Sequence, residues 1–404
     1  RSLRINHENL RTRDPILVSS VDDMVAERAA EQSGVARGNI TPPPMFTPFR
    51  LREMVLENRI MVSPMCMYSA VDGTIGDWHL VHLGSRAVGG AGLIMSECTA
   101  VTAEGRITLG CSGMYKDEHI EAWQRVTEFV HQSSQAKIGM QLGHAGRKAS
   151  TRLQWEGGET KPLPRNEDNW PIMAASPIPY TDNNQTPKEM DRDDMDKVIA
   201  DFVIAANRAH EAGFDILELH CAHGYLLNTF LSPKTNRRND EYGGNINNRL
   251  RYPIELFSAL RATWPDEKPI SVRISATDWV DDGFEPKDAV EVAKAFKAAG
   301  CDIMDVSSGQ VVAEEEPVYG RLFQLPFSDR VRLEAKIPTM TVGNIQSYAD
   351  ANSIIAGGRA DICVIARMHL FDPYWTRHAA NELDYPLEMP IQYKSVEVYT
   401  PRWV

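Results

Sequence analysis

Short apolar runs alternate with longer amphipathic stretches along most of this chain. Eight runs of strand length occur, and helical patterns separate nearly all of them, most clearly at 117–132 and 191–212. Eight strand–helix units over roughly 320 residues predict a (β/α)₈ TIM barrel, with functional groups on the loops after the strands. A doubly wound sheet is the alternative fold. The eight runs are residues 59–64, 92–97, 137–142, 214–220, 269–274, 301–307, 337–343 and 360–366.

The first 45 residues have a different pattern and are predicted to form an N-terminal helical arm and linker, followed by one barrel domain over 46–404. Residues 20–23 have the spacing of a helix start, and this helix is predicted to end near Gly34. Residues 38–44 then read as an extended, proline-stiffened linker. Because the arm is too short for its own core, we expect it to pack on the barrel or on a neighbouring protein.

A long segment after the third run, 143–190, shows little periodicity. It is rich in proline and contains Trp155 and Trp170. Loops of this length often cover binding sites. A disordered insertion is the alternative, but the two tryptophans and the apolar stretch 171–180 favour an ordered lid.

Composition narrows the class of protein. The chain has 404 residues, of which 43% are hydrophobic and 24% charged, as in ordinary globular proteins. Its formal net charge of −12 argues against general nucleic-acid binding. No apolar run approaches the ~20 residues that span a membrane. The six cysteines lack CxxC spacing, which favours a reducing cytoplasm and argues against disulfides and metal sites. Since the chain begins with Arg1, we expect a fragment or a processed product.

Three hydrogen-bond donors, His220, His223 and Tyr225, follow the fourth run. Imidazole and phenol groups can bind a carbonyl oxygen or supply a proton. A lone histidine beside an apolar run more often merely caps it. Two histidines and a tyrosine at the end of a parallel strand instead favour the mouth of an active site.

Other strand ends carry polar or flexible residues. Gly343 and Asn344 after the seventh run and Arg367 after the eighth fit a phosphate site, in which backbone N–H groups surround the anion and arginine neutralises it. Gln141 can both donate and accept, as the edge of a planar heterocycle requires. Arg273 either holds negative charge on a reduced ring or forms an internal salt bridge.

Together these segments resemble the old yellow enzyme family of FMN-dependent ene-reductases, in the branch with a cysteine beside the flavin. The resemblance covers the chain from about Phe46 onward. It is carried by NRI at 58–60, SPMCMY at 63–68, QLGHAGRK at 141–148, HCAHGYL at 220–226, FLSP at 230–233, NRRNDEYGG at 236–244 and NR at 248–249.

The resemblance implies bound FMN, with NADH or NADPH as the reductant. Gln141 and Arg273 would bind the pyrimidine side of the flavin, and Ala366 and Arg367 its phosphate. Cys66 would lie near the reactive edge and tune the flavin. The whole set expected around FMN is Ser63, Pro64, Met65, Cys66, Cys98, Gln141, His220, Arg273, Gly343, Asn344, Ala366 and Arg367.

The same resemblance implies the reaction. Hydride would pass from NAD(P)H through flavin N5 to an activated C=C bond. His220 and His223 would bind the substrate's carbonyl oxygen, Tyr225 would donate the proton, and Tyr68 would contact substrate. In a homo-oligomer, Arg402 beside Trp403 would reach a neighbouring subunit's site.

The arm and lid resemble one subgroup more narrowly, the C-terminal reductase part of bifunctional salicylyl-CoA or 2-aminobenzoyl-CoA monooxygenase/reductases. The substrate would then be a dearomatised aryl-CoA thioester, and a flavin monooxygenase would precede the barrel or associate with it. Three alternatives stay open: a general enone or enal reductase, a flavin-free phosphate-binding aldolase or isomerase, and a non-catalytic module that docks a monooxygenase.

Overall fold

Eight parallel strands form a closed barrel in the computed structural model, which describes residues 5–164 and 168–396. The strands follow one another around the barrel in chain order, and the last pairs with the first. Over the described residues the strands are β1 (Phe49–Leu51), β2 (Met54–Leu56), β3 (Ile60–Val62), β4 (Leu93–Ala100), β5 (Lys137–Gly143), β6 (Met173–Ala174), β7 (Lys188–Glu189), β8 (Ile216–Cys221), β9 (Ile270–Ser275), β10 (Ile303–Ser307), β11 (Thr339–Thr341) and β12 (Ile362–Ile365).

Helices surround the barrel and fill most connections between its strands. Those in the described ranges are α1 (His7–Arg13), α2 (Pro15–Ser33), α3 (Asp77–Val88), α4 (Glu118–Ser133), α5 (Arg192–Glu211), α6 (Leu226–Leu231), α7 (Ile246–Thr263), α8 (Pro286–Ala298), α9 (Leu325–Ala335), α10 (Tyr348–Ala356), α11 (Arg367–Phe371) and α12 (Trp375–Glu382).

The predicted TIM barrel is confirmed, and each of the eight apolar runs overlaps one barrel strand. The pattern was readable because these strands are buried on both faces; all six residues of β8, for instance, are buried. The two clearest helical patterns correspond to α4 and α5 within one residue at each end. The helices pack on the strands through large apolar side chains, among them Trp123, Phe202, Phe214, Phe257 and Phe296.

An antiparallel hairpin of β1 and β2 closes the N-terminal end of the barrel. Its apolar side chains pack inside the barrel against residues that include Met61, Leu93, Met95, Ile216, Ile303 and Met340. Burying one such side chain contributes about 1.5–3 kcal/mol. Outside the barrel, Arg52 at the hairpin turn forms an ion pair with Asp302, in which Arg52 Nε lies 2.7 Å from Asp302 Oδ1. The strands of this hairpin are short and only partly buried, so they give no continuous apolar run, and the hairpin was not predicted.

The N-terminal arm consists of α1 and α2, and the predicted start of its helix was wrong. The helix begins at Pro15, where Asp14 caps it by accepting the Leu17 N–H at 3.0 Å. Asp followed by Pro is a stronger start signal than the spacing at 20–23. The predicted end is confirmed, since Gly34 ends the helix at φ +72°. The helix α1 was not predicted.

The arm packs on the barrel domain through α10. The His7 N–H donates to Ser353 Oγ at 3.0 Å, and Asn352 Nδ2 donates to Glu8 Oε1 at 3.0 Å. The His7 ring lies between two carboxylates, with Nδ1 2.6 Å from Glu8 Oε1 and Nε2 2.6 Å from Asp22 Oδ1. Since each carboxylate accepts a ring N–H, this arrangement favours a protonated imidazole.

The segment after β5 is an ordered lid within the residues that the structure describes. Short 3₁₀ turns at Gly146–Lys148, Gln154–Glu156 and Gly158–Thr160 lead to the two-stranded pair β6–β7. Trp170 anchors the lid, because its Nε1 donates to Glu104 O at 2.9 Å and Arg106 stacks on its ring. The other predicted anchor, Trp155, is 67% exposed and contacts the Tyr68 ring edge-on.

Two further features follow from the described residues. All six cysteines are free thiols, and five of them are buried. No helix within 5–164 and 168–396 combines the length and the apolar character needed to cross a membrane.

Candidate active site

A cavity of about 1080 Å³ opens at the carboxyl ends of the barrel strands. This volume slightly exceeds the about 300–1,000 Å³ that is usual for small-molecule sites. The structure brings nearly all of the sequence-predicted site residues together here. Those lining it are Ser63, Pro64, Cys66, Tyr68, Cys98, Gln141, His220, His223, Tyr225, Arg273, Gly343, Asn344, Ala366 and Arg367.

Met65 is the predicted residue that does not line the cavity. Its side chain packs against the hydrophobic core beside the barrel. The segment after β3 is extended, so successive side chains point to opposite sides. Pro64 and Cys66 on either side of Met65 do reach the cavity.

His220 lies near the end of β8 and is fixed by its own backbone. The Ala222 N–H donates to His220 Nδ1 at 3.2 Å, which assigns the proton of a neutral ring to Nε2. Burial, and secondly the positive charge of Arg273, lower the pKa of His220 well below its usual value. His220 is therefore a neutral imidazole with one N–H to donate.

His223 follows in a left-handed backbone conformation, φ +61°. Two contacts hold it there: its N–H donates to Ser275 Oγ at 2.9 Å, and its carbonyl accepts from Lys148 Nζ at 2.9 Å. Its Nε2 lies 2.8 Å from Ser307 Oγ. Burial and the charge of Arg273 also lower the pKa of His223. The His220 and His223 rings are 5.3 Å apart and nearly perpendicular.

Tyr225 completes the cluster, with its ring centroid 4.9 Å from that of His220. Its hydroxyl donates to Glu159 Oε1 of the lid at 2.5 Å. Burial, followed by the negative charge of Glu159, raises the pKa of Tyr225 well above its usual value. The phenol therefore carries its proton at neutral pH.

Two charged residues of the cavity wall were not among the predicted site residues. Lys148 is fully buried in the cavity wall, and its Nζ lies 2.9 Å from Glu159 Oε2. Lys148 stands in the QLGHAGRK segment and could have been noticed there. Glu159 lies in an aperiodic loop and carries no comparable signal.

A buried polar cluster lies beneath the histidines, inside the barrel. Gln141 Nε2 donates to Glu218 Oε1 at 2.8 Å, and Arg273 Nε lies 3.3 Å from Asp305 Oδ2. Burial, and secondly the charge of Asp305, raise the pKa of Glu218 to about 8. Arg273 Nε and both Asp305 oxygens lack a hydrogen-bond partner within the described residues. Arg273 thus forms the internal ion pair and still has donor capacity facing the cavity.

Two thiols, those of Cys66 and Cys98, also line the cavity. Burial raises the pKa of Cys66 and of Cys98 well above the usual value. Both are therefore protonated thiols at neutral pH, which does not favour nucleophilic chemistry.

The far end of the cavity fits an anion. Gly343 has φ +120°, and a Cβ there would lie 2.9 Å from Gln324 Nε2, so the loop requires glycine. Asn344 follows at φ +57° and donates to Gly320 O at 3.1 Å. Arg367 is exposed at the rim and has no ion-pair partner within the described part of the chain. Irregular backbone beside an uncommitted guanidinium suits a phosphate group.

The cavity therefore fits a planar heterocycle with a phosphate tail, as FMN has. Gln141 and the guanidinium of Arg273 provide donors at one end, and Arg367 provides the charge at the other. The predicted contact of Arg402 with a neighbouring subunit lies outside the described residues. Within them, no three His, Cys, Asp or Glu side chains converge as they would around a metal ion.

Comparisons with known proteins agree with this geometry. The family model for the "NADH:flavin oxidoreductase / NADH oxidase family" matches residues 44–385. The chain is 44% identical over 352 residues to an NADPH dehydrogenase of a Geobacillus species, covering 87% of this chain and 97% of that protein. It is 40% identical to an NADPH dehydrogenase of Bacillus subtilis, covering 87% and 98%. The solved structure of morphinone reductase superposes with a TM-score of 0.70 at 25% identity, covering 91% of this chain and 96% of that one.

Proposed function

Because the chain belongs to the NADH:flavin oxidoreductase / NADH oxidase family, the old yellow enzyme type, we propose that it reduces an activated C=C bond conjugated to a carbonyl group. It is an oxidoreductase that uses FMN and NAD(P)H. The expected family is thereby confirmed. The non-catalytic docking module and the flavin-free aldolase or isomerase are set aside.

The observation that carries the proposal is the cluster of three donors at the end of β8. When bound, FMN accepts hydride from NAD(P)H and supplies it to the alkene. His220, with its Nε2–H, and His223 bind the substrate's carbonyl oxygen and stabilise it as negative charge develops there. Tyr225 supplies a proton to the carbon next to the carbonyl. Tyr68, which packs against the cluster that contains Tyr225, also contacts the substrate.

The other cavity residues would hold the cofactor. Gln141 and Arg273 bind the pyrimidine edge, where charge on Arg273 offsets negative charge on the ring. Cys66 contacts the ring as a neutral thiol and tunes it. The remaining contacts are proposed for Ser63, Pro64, the backbone at Met65, Cys98 and, around the phosphate, Gly343, Asn344, Ala366 and Arg367.

For the substrate we propose a dearomatised aryl-CoA thioester. The lid adds a wall beyond the barrel strands, on the side where the substrate would lie. A thioester supplies the carbonyl oxygen that two neutral donors can bind, without the charge of a free acid. A general enone or enal reductase is the second candidate, supported by the same histidine pair.

A screen of NAD(P)H oxidation under anaerobic conditions tests this choice. The FMN-bound protein would be assayed with 2-cyclohexenone, an enal, an aryl-CoA dienone thioester and the matched free acid. We expect kcat/KM for the thioester to exceed that for cyclohexenone and the free acid to be inactive. A higher kcat/KM for cyclohexenone would favour the general reductase, and no oxidation with any alkene would refute alkene reduction.

We also propose how the protein is organised. Residues 1–45 form an arm and 46–404 the catalytic domain, which the family match beginning at residue 44 supports. A flavin monooxygenase, fused or associated, would supply the dearomatised ring, and the barrel would form a homo-oligomer. Co-purification with a monooxygenase and the mass measured by light scattering test these two points.

A further inference from the structure

The lid places one carboxylate inside the cavity. Glu159 lies on the 3₁₀ turn Gly158–Thr160, outside the barrel strands, and lines the cavity. Its Oε1 accepts the Tyr225 hydroxyl at 2.5 Å, and its Oε2 lies 2.9 Å from Lys148 Nζ. Both carboxylate oxygens are therefore engaged, each with a residue of the cavity wall.

Lys148 is built to hold Glu159 in this place. Its ammonium has three N–H groups, and three acceptors surround it: Glu159 Oε2, His223 O at 2.9 Å and Gln310 O at 2.7 Å. The ammonium also lies 4.2 Å from the centroid of the Tyr180 ring. Burial lowers the pKa of Lys148, and the contact with Glu159 opposes that shift. With all three of its acceptors in place, the Lys148 side chain is held rigidly. Glu159 is consequently a hydrogen-bond acceptor at a fixed position.

The contact with Tyr225 has a chemical consequence. A phenol has one hydrogen, and a carboxylate can only accept. While Tyr225 donates to Glu159, its hydrogen points at the lid and cannot be given to a carbon in the cavity. The hydrogen bond must open before Tyr225 can act as an acid towards a substrate.

We propose that Glu159 is a positioning residue that couples the lid to the proton donor. Its carboxylate holds the Tyr225 hydrogen on the lid side of the cavity, and opening of this one contact both loosens the lid and frees the phenol. This inference rests on the proposed role of Tyr225 as the proton donor.

The coupling can be measured without turnover, by hydrogen exchange of the lid amides over 150–164 in the FMN-bound protein. We expect Glu159→Gln and Tyr225→Phe each to speed exchange there by about 10-fold, since the first removes the charge from the Tyr225–Glu159 contact and the second removes its hydrogen-bond donor. The double variant should exchange no faster than the faster single variant. Glu156→Gln, an exposed carboxylate three residues earlier on the same lid, is the matched control and should leave exchange unchanged.

Additive effects in the double variant, or a Glu159→Gln lid that exchanges like the Glu156→Gln lid, would overturn the coupling. Stopped-flow reoxidation of the reduced enzyme by saturating alkene adds a second measurement. Freed from the carboxylate, Tyr225 in Glu159→Gln should react up to about 10-fold faster than in the parent.

Slower reoxidation in Glu159→Gln would overturn the inference, because Glu159 would then belong to the path of the proton. Failure of the proposed function has a different signature. If Tyr225→Phe reoxidises at the parent rate, Tyr225 is not the donor, whatever the exchange of the lid shows.

Discussion

His223 adopts a left-handed backbone conformation that residues other than glycine rarely occupy. The position of its ring in the site depends on this conformation. Left-handed φ values outside glycine carry strain, and they persist where neighbouring contacts enforce them. Ser275 and Lys148 enforce it here, from the backbone N–H and the carbonyl respectively. The turn carries the His223 ring to within 5.3 Å of that of His220, so that both can address one oxygen.

The histidine pair leads to a prediction about ligand binding. Replacing both His220 and His223 with alanine should abolish binding of phenolic ligands while FMN stays bound, because the oxygen site is lost and the phosphate site is not. The measurement is a titration with a phenol, in which binding is read from the long-wavelength charge-transfer band that the phenol forms with the flavin. A double variant that retains the band and normal affinity would place the oxygen site elsewhere.

Tyr225 leads to a prediction that separates two half-reactions. Losing a general acid typically slows a step by about 10²–10⁴-fold. Tyr225→Phe should slow reoxidation by an alkene within that range and leave reduction by NAD(P)H nearly unchanged, since reduction does not use this proton. Stopped-flow spectroscopy resolves the two steps, with Tyr115→Phe as a control outside the cavity. Equal slowing of both steps would instead indicate a disturbed flavin site.

The sequence pointed to residues that line the cavity but not to their partners. All fourteen predicted positions other than Met65 line the cavity, and a strand end or a motif indicated each of them. Glu159, Lys148, Glu218 and Asp305 were not predicted, because they act through neighbours that are distant in sequence. Glu218 and Gln141, for example, are 77 positions apart and meet only because β5 and β8 pair. Single-sequence patterns do not record such pairings.

At the scale of elements, the loops after β11 and β12 form the end of the cavity that is proposed to bind the FMN phosphate. A third prediction concerns this end. Arg367→Ala should lose FMN on dialysis, because charge-assisted contacts are worth about 1.5–3 kcal/mol each. Flavin absorbance per protein after dialysis measures the loss. Arg330→Ala, which removes an exposed arginine paired with Glu334 on α9, is the matched control. Stoichiometric FMN in the Arg367 variant would show that the phosphate lies elsewhere.

The arm predicts a pH dependence of stability that centres on His7. Burial alone lowers the pKa of His7, but hydrogen bonds to Asp22 and Glu8 outweigh it and raise the pKa from 6.5 to about 9. The other groups facing this ring are Arg11, paired with Asp22, and the uncharged Asn352 and Ser353 of α10.

Because the folded-state pKa is the higher one, the stabilisation is complete below pH 6.5 and is lost as pH rises through 9. The difference corresponds to up to about 3 kcal/mol. Hydrogen exchange of α1 and α10 should therefore accelerate between pH 6.5 and 9.5, after correction for intrinsic exchange, and His7→Gln should be fast at every pH. His378→Gln, an exposed histidine paired with Asp372, serves as the control. An unchanged pH profile in His7→Gln would contradict the assignment.

Continuity of burial and length decided how well the sequence predicted an element. The barrel strands were found because burial on both faces makes each run continuously apolar, and the long helices because they repeat an apolar face over several turns. The hairpin β1–β2 escaped because charged residues interrupt its short apolar sequence, and α1 escaped because seven residues hold too little helical pattern. The start of α2 was misplaced because spacing was weighted above the Asp14–Pro15 pair.

The whole molecule shows what strand count and chain order can predict. Eight buried runs sufficed for a closed barrel, since each parallel strand needs a crossover and right-handed crossovers wind the chain around one axis. The docking of the arm on α10 was not specified, because it depends on His7, Glu8 and Asn352 meeting across more than 340 positions. The mouth of the barrel was predictable, and the closed opposite end was not.

That closed end limits the order of events in turnover. The hairpin β1–β2 fills the N-terminal end of the barrel, so on the proposed function NAD(P)H and the alkene would both enter the cavity at the opposite end, beneath the lid. We expect the two substrates to bind in turn, with the oxidised nucleotide leaving before the alkene enters. Initial rates at several fixed alkene concentrations should give parallel lines in double-reciprocal plots, and excess NAD(P)H should inhibit competitively against alkene. Intersecting lines would mean that both substrates occupy the enzyme together.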